Sequence, residues 1–411
     1  MWRTRTTELA VAVAIFAIAS WARLRDLDAA IVLSDQLGPW LRALANPVNP
    51  APHAAPYGWA LHPPYALCLI VADSLRSAVA AMLLLQALVA PLATRGVRPL
   101  AGLVAGLLVA LDGGLVDTAL AGSEGYLGAL WVGAALAFRP VAPLCLALGA
   151  MNHPLVLCCV PLLALCDWRS RSVQISAVLG LLALLPTLPR WLSGAEIGVG
   201  LDPLLALPAW LEQGGPAAWV LLLGPLVALW KKRRLALATL ASMTLLLLAG
   251  LWLGYLRDHH LRLLTVPLAL CAASLPRRWV LLPLLALRLP VSQVPESDKP
   301  HRPGTLGLAT EIADEISSWP QPVFVEGVIF EGTAAAEAST LLLDLHLRGV
   351  PVALGASEGA IITHERRSGR RWTLEQQPDW SVLCAGRVGG SWDAMAVLVP
   401  STTLEDLARC P

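Results

Sequence analysis

The chain has 411 residues, of which 56% are apolar and 14% are charged, and its formal net charge is +1. Soluble domains usually carry about 25% charged residues, so this composition excludes an ordinary soluble domain and favours a membrane protein. The small net charge argues against a nucleic-acid partner and against a polybasic membrane tether. Abundant Leu and Ala favour helices over a transmembrane barrel.

Apolar runs recur along the first 290 residues and predict about eleven membrane spans. They cover residues 8–22, 77–93, 99–112, 125–138, 141–151, 154–167, 173–189, 217–230, 235–255, 261–275 and 279–290. Several are shorter than the roughly 20 residues that a perpendicular span needs, which indicates short or bent helices surrounded by protein. The first run follows Arg3 and Arg5 but lacks a suitably placed small-residue cleavage site, so it is predicted to be a retained span.

Basic residues in the short loops predict the orientation. With the N-terminus in the cytoplasm, the clustered basic residues fall on the inner side, at positions 95 and 98, 139, 169 and 171, 231–234, and 277 and 278. The opposite loops are 23–76, 113–124, the turn at 152–153, 190–216 and 256–260. This arrangement predicts a multi-pass protein of the inner (plasma) membrane whose C-terminal region lies outside the cytoplasm.

The hydrophilic C-terminal part predicts a second domain. A polar, Pro-rich linker over 291–303 joins the membrane domain, 1–290, to a small extracytoplasmic α/β domain over 304–411. Helical spacing over 306–319 and 334–348 alternates with strand-like segments at 323–325, 350–354, 360–363, 380–384 and 394–399. Cys384 and Cys410 would form a disulfide only if they meet, which the sequence does not show.

The first outer loop, 23–76, holds the residues that most resemble a site. Asp35 lies at the predicted membrane boundary, where partial desolvation raises a carboxyl pKa and suits it to proton abstraction, although it is also placed to cap a short interfacial helix. Asp28 either caps the end of the first span or takes part in the site. His62 is a polar anchor or a contact to a substrate phosphate, and Arg76 is a boundary residue or a ligand of an anionic headgroup.

Two later outer segments supply further candidates. Glu124 either complements a helix N-terminus or faces Asp35 across a site. Asn152 and His153 interrupt an apolar stretch, where a polar pair is costly unless it lines a cavity. A divalent metal such as Mg²⁺ or Mn²⁺ would need Asp, Glu and His side chains to converge, and the local spacing neither shows nor excludes this.

The order of short motifs over residues 8–170 resembles the GT-C superfamily of integral-membrane glycosyltransferases. The similarity is to its bacterial dolichyl-phosphate-mannose mannosyltransferase-like and aminoarabinose-transferase-like members. The matching stretches are Arg-Leu-Arg-Asp-Leu-Asp at 23–28, Ser-Asp-Gln at 34–36, His-Pro-Pro-Tyr at 62–65, Asp-Ser-Leu-Arg at 73–76 and Ser-Glu-Gly-Tyr at 123–126.

The resemblance implies an enzyme that moves a sugar from a polyprenyl-phosphate donor to a glycan, lipid or protein acceptor. Asp35 matches the catalytic base, and Glu124 matches an acid that positions the acceptor or a metal. His62 and Arg76 match positions near the donor phosphate. Asn152 and His153 fall where many relatives carry a donor-contacting basic residue.

The chain departs from the family pattern at several positions. Gln36 stands where the family has a second acid, and the Arg that follows Glu124 in the family is absent. The alternative is therefore a non-catalytic polytopic membrane protein, either a degenerate scaffold or a transporter, that binds a partner through its outer domain. A transporter would be expected to show paired broken helices and a repeat, and no repeat is visible in the sequence.

Overall fold

The architecture was taken from a computed structural model of the chain. It describes residues 2–30, 62–72, 74–95, 97–120, 125–185, 203–254, 256, 258–276 and 279–287. Beyond them it describes residues 306–307, 310, 313–314, 323–325, 343–345, 347–349, 352–354, 360–366, 380–387 and 393–400. The predicted linker, 291–303, lies outside these ranges.

Helices make up the described part of the first 290 residues. The α-helices are α1 Trp2–Leu24, α2 His62–Ile70, α3 Leu75–Ala87, α4 Val89–Leu92, α5 Pro99–Ala110, α6 Gly113–Leu120, α7 Gly125–Ala137, α8 Ala142–Asn152, α9 Arg171–Leu184, α10 Pro203–Ala228, α11 Arg233–Leu253, α12 Asp258–Leu261 and α13 Thr265–Ala272. Short 3₁₀ helices occur at Leu27–Ala29, Arg139–Val141, Pro154–Leu165, Arg262–Leu264 and Leu282–Ala286. Each predicted apolar run contains at least one of these elements.

Within the described part of the chain, three helical stretches are long and apolar enough to cross a membrane, which indicates that the protein associates with one. They are Thr6–Leu24, Leu75–Leu92 and Arg233–Leu253. Two bent pairs raise this number to five if each pair is a single span. One pair joins α5 to α6 at an angle of 49°, and the other joins Leu127–Ala137 to Arg139–Asn152 at 118°. The count of eleven spans stays a prediction.

Small residues allow the helices to approach closely. Gly102 and Gly106, four residues apart on α5, leave room for Thr94 and for Ile15 of α1. A Cβ atom on Gly106 would lie 3.0 Å from carbon atoms of Ile15. This spacing of small residues is typical of helix contacts inside membranes, where packing must replace the hydrophobic effect. The buried side chains of these helices form one continuous apolar core.

Chain breaks are concentrated at one end of this helical bundle. The break between α5 and α6 falls at Leu111 and Asp112, and α8 ends at Asn152 before Pro154. Helix α10 is interrupted at Gly215, whose φ of 54° is accessible mainly to glycine. The sequence predicts an outer loop over 190–216. The structure instead has helix from Pro203 with a break at Gly215, and residues 190–202 lie outside the described ranges.

Five strands in the C-terminal part pair in one sheet. They are β1 Val323–Val325, β2 Val352–Leu354, β3 Ala360–Arg366, β4 Trp380–Arg387 and β5 Asp393–Pro400, in the spatial order β2-β1-β3-β5-β4. β1 is parallel to β2 and β3, whereas β5 is antiparallel to β3 and β4. Whether this sheet belongs to a separate α/β domain stays a prediction.

The C-terminal part contacts the membrane-associated helices directly. The backbone N–H of Leu306 donates to the carbonyl of Ala30 over 3.0 Å. Leu306 is fully buried, and with Ala313, Leu343 and Leu345 it belongs to the same apolar core as α1. This contact lies directly after the first span, where the predicted first outer loop begins.

Candidate functional site

The two predicted catalytic acids cannot be placed in this fold. Asp35 and Glu124 both lie outside the described residues. His62 is the first residue of α2, and only its backbone is described. Their predicted roles therefore stay predictions, and the site has to be built from the residues around them.

Asp28 and Arg76, two of the predicted substrate-binding residues, form an ion pair. Asp28 lies in the 3₁₀ turn that follows α1, and Arg76 lies in the first turn of α3. The Asp28 side chain is 58% exposed and the Arg76 side chain is 46% exposed. The pair therefore connects the turn after α1 with the start of α3, across the stretch of chain that contains Asp35, and it remains open to solvent.

The position of Arg76 is explained by its neighbours. Ser74 caps the first turn of α3, because its side-chain oxygen accepts a hydrogen bond from the backbone N–H of Ser77 over 3.2 Å. A cation at this end opposes the helix dipole, which favours negative charge there. Asp28 offsets this cost because it brings a carboxylate to the guanidinium. Gly307 also lies against Asp28, since a Cβ atom there would be 3.6 Å from the Asp28 Cβ.

A second ion pair, between Asp112 and Arg262, is completely enclosed. Arg262 Nη1 donates to Asp112 Oδ1 over 2.8 Å, and the two side chains are 0% and 2% exposed. The other carboxylate oxygen accepts from the Thr265 hydroxyl over 3.3 Å. The backbone N–H of Leu115 also reaches Oδ1, at 3.4 Å, so Asp112 caps the start of α6. Both oxygens of this carboxylate are therefore engaged.

Arg262 links three chain breaks through one guanidinium. Its Nη1 bonds Asp112 at the α5–α6 break, and its Nη2 donates over 3.4 Å to Gln213, which lies two residues before Gly215 in α10. Its Cζ lies 5.4 Å from the centre of the Trp210 ring, within cation–π range. Gly114 makes this position available, because a Cβ atom there would lie 1.7 Å from Arg262 Nη2.

The predicted pair Asn152 and His153 lies beside this buried cluster. His153 is 6% exposed, and its Nδ1 accepts from the backbone N–H of Leu155 over 3.2 Å, so Nε2 is the nitrogen that carries the proton when the ring is neutral. Its ring stacks at 4.7 Å on His260, which stacks in turn at 4.1 Å on His259. Asn152 is fully buried, and among the described residues neither atom of its amide has a hydrogen-bond partner.

The predicted outer loops therefore meet at one end of the bundle. The imidazole stack joins the turn at 152–153 to residues 259–260, and Arg262 joins the latter to Asp112 and Gln213. A metal has no ready site here. Within the described ranges, no three His, Cys, Asp or Glu side chains are grouped so that they could hold an ion.

The sequence prediction missed the importance of Arg262 and Asp112. The usable signal was an arginine inside the apolar run 261–275, because ionisable residues within apolar spans usually face a partner or a pathway. Its partner could not have been identified, since Asp112 is 150 residues away in the chain.

A third ion pair lies in the C-terminal part. Arg348 Nη2 donates to Asp344 Oδ2 over 3.3 Å, and Arg348 also pairs with Asp314. Asp344 is 1% exposed. Burial raises the pKa of the Asp344 carboxyl above its ordinary value of 3.8, and the hydrogen bond from Arg348 only partly opposes this shift. Burial of this carboxyl therefore disfavours its ionised form in the folded chain.

Comparison with known proteins adds no further constraint. No family model, no curated protein and no solved structure matches the chain.

Proposed function

We propose that the protein is a membrane-embedded glycosyltransferase that moves a sugar from a polyprenyl-phosphate donor to an acceptor at the extracytoplasmic face. The observation that supports it best is the Asp28–Arg76 ion pair. It brings together two residues assigned to substrate binding from separate motifs, at the base of the segment that contains Asp35.

The chemistry is a direct displacement at the anomeric carbon. The acceptor oxygen forms a bond to that carbon as the bond to the phosphate oxygen breaks, and the acceptor proton passes to Asp35. The polyprenyl phosphate leaves with the bonding electron pair. Cationic side chains stabilise the charge that develops on the leaving phosphate.

Arg76 is suited to receive this phosphate. Its guanidinium is already oriented by a carboxylate and is nearly half exposed, so an incoming phosphate has access to it. Carboxylates and phosphates both accept paired hydrogen bonds from the planar guanidinium fork. Asp28 thus acts as an internal substitute for the phosphate, and it exchanges with the donor when the donor binds.

The proposal includes the membrane topology. The protein crosses the inner membrane about eleven times, with its N-terminus in the cytoplasm and a C-terminal α/β domain outside. Epitope tags at the N-terminus and within 291–303 test this part in intact spheroplasts. Antibody access to the second tag alone is expected, and access to the first tag alone would contradict it.

The activity is tested with purified protein and a panel of radiolabelled polyprenyl-phosphate sugars, with and without Mg²⁺ or Mn²⁺. Transfer is expected from the wild type and a loss of at least about a hundredfold from Asp35→Asn, the range for a positioned general base. Asp26→Asn is the control for Asp28→Asn, because the Asp26 carboxylate pairs with the adjacent Arg25 and not with Arg76. Equal transfer by the wild type and Asp35→Asn would remove Asp35 from the mechanism.

A second candidate is a non-catalytic polytopic protein, either a transporter or a scaffold. The helix pair α5–α6 favours it, because a broken helix with a buried ion pair at the break is a common feature of transporters. This alternative predicts no transfer with any donor. It also predicts that Asp35→Asn leaves binding of its partner or cargo unchanged.

A further inference from the structure

An apolar stripe runs along the exposed surface of the second half of α10. Trp219, Leu223 and Leu226 follow one another at intervals of four and three residues, which places them on one helical face, and Trp230 follows in the turn after α10 ends at Ala228. Their exposed fractions are 54%, 50%, 56% and 94%. Such a stripe in a membrane-associated helix faces lipid, and a terminal tryptophan is typical of the level of the lipid headgroups.

Four cations follow Trp230 directly. Lys231, Lys232, Arg233 and Arg234 are all exposed, and among the described residues none of the four forms an ion pair. The first turn of α11 contains no acidic residue that would balance them. The charges therefore repel one another, and the dipole of α11 opposes them as well, whereas the C-terminus of α10 favours the cations that follow it.

We propose that this edge, residues 230–234, binds the headgroup of an anionic phospholipid whose acyl chain lies along the stripe on α10. The headgroup phosphate meets the four cations, and the Trp230 ring lies between headgroup and acyl chain. Charge complementarity supports this partner over a zwitterionic lipid, since clustered Lys and Arg next to a span attract anionic lipids.

A neighbouring edge provides the contrast. The segment Trp168–Arg171 also combines a tryptophan with two exposed arginines, and the 3₁₀ helix that precedes it packs along α11. There, however, the Trp168 indole N–H donates to the carbonyl of Leu163 over 3.1 Å, and Asp167 adds a negative charge next to Arg169. The protein itself therefore supplies a partner for Trp168 and a negative charge beside Arg169, so this edge serves as the matched control.

The test counts lipids that remain bound in native mass spectrometry. Purified full-length protein in detergent is incubated separately with dioleoyl phosphatidylglycerol and with dioleoyl phosphatidylcholine. The wild type is expected to retain more phosphatidylglycerol. Each Lys or Arg near an anionic surface contributes a factor of about five in binding, so Lys231→Gln with Lys232→Gln is expected to reduce this retention roughly twenty-five-fold.

The control removes the same charge elsewhere. Arg169→Gln with Arg171→Gln is expected to keep the preference for phosphatidylglycerol. Equal losses in both double variants would overturn the proposal and indicate a general effect of net charge. A wild type that retains both lipids equally would overturn it as well.

A measurement on the unmodified protein guards against misfolded variants. Screening weakens exposed charge interactions, so raising the salt from about 0.1 M to about 1 M before analysis is expected to abolish the preference of the wild type. A preference that persists at high salt would contradict an electrostatic headgroup site.

Discussion

The Asp28–Arg76 and Asp112–Arg262 pairs have the same chemistry and opposite surroundings. The first is about half exposed on both sides, whereas the second is almost completely buried and bonded to three further groups. An exposed pair contributes little to stability and can exchange its carboxylate for another anion. A buried pair cannot exchange without leaving a charge uncompensated. Exposure therefore separates a candidate binding residue from a residue that organises the fold.

Arg262→Met should have the largest effect on stability. The substitution leaves Asp112 buried and without its cation, which typically costs about 3–5 kcal/mol. The measurement is the free energy of unfolding by denaturant titration in detergent. Arg233→Met, at an exposed position, is the control and should change this quantity by less than about 0.5 kcal/mol. Similar unfolding of the two variants would contradict the role assigned to Arg262.

Gly114→Ala tests the same cluster through its packing. The added Cβ would lie 1.7 Å from Arg262 Nη2, so the guanidinium must move away from Asp112 or Gln213. Overpacking of this kind costs about 1–3 kcal/mol. Gly133→Ala is the matched control, because its Cβ would meet no atom closer than 3.4 Å. A thermal unfolding scan that ranks Gly133→Ala below Gly114→Ala would be inconsistent with this geometry.

The double variant Asp112→Asn with Arg262→Met measures the coupling itself. Asn retains the shape of the cap on α6 and removes the uncompensated charge, so the double variant should be more stable than Arg262→Met alone. A coupling free energy of about 0.5–3 kcal/mol is expected from the complete cycle, as for other contacting residues. Strict additivity of the two single changes would show that the pair does not act as a unit.

Arg76→Gln should behave in the opposite way. Loss of an exposed ion pair changes the free energy of unfolding by about 0–1 kcal/mol. Under the proposed function, however, transfer from the polyprenyl-phosphate donor should fall well beyond this small structural effect, with the loss mainly in kcat/KM for the donor. Unchanged transfer would assign Arg76 to the helix boundary only.

The smallest expected effect concerns Asp344 and pH. Its pKa is raised in the folded state, so the folded chain holds this proton more tightly than the unfolded chain. Stability gained from this group must therefore increase as pH falls through the raised folded pKa toward 3.8, and it is lost again as pH rises through that folded pKa. The difference in urea stability between the wild type and Asp344→Asn, measured from pH 7 to pH 4, isolates this contribution. A difference of the opposite sign would refute the assignment.

The sequence predicted the local features of this fold better than its distant contacts. Helical apolar runs follow from neighbouring residues, and each predicted run overlaps a described helix, although helices also occur within predicted outer loops, as at Gly113–Leu120. The sequence predicted a loop at Gly215. The structure has Gly215 within α10, because Pro203 and the apolar residues after it continue the helix through part of that predicted loop.

The candidate site shows the same limit. Arg76 and Asp28 were each selected from a motif, but their pairing depends on how α1 packs against α3. The contacts of Arg262 with Gln213 and Asp112 span 49 and 150 residues of sequence. They also require Gly114, which leaves space for the guanidinium. A single sequence without aligned relatives shows neither the Asp28–Arg76 pairing nor the contacts of Arg262.

The hydrogen bond between Ala30 and Leu306 has a topological consequence. Two bonded backbone groups lie on the same side of a bilayer, so the chain between them crosses it an even number of times. Under the proposed topology α1 adds one crossing before Ala30, so the number of crossings before Leu306 is odd. Eleven meets this parity condition, whereas ten and twelve do not.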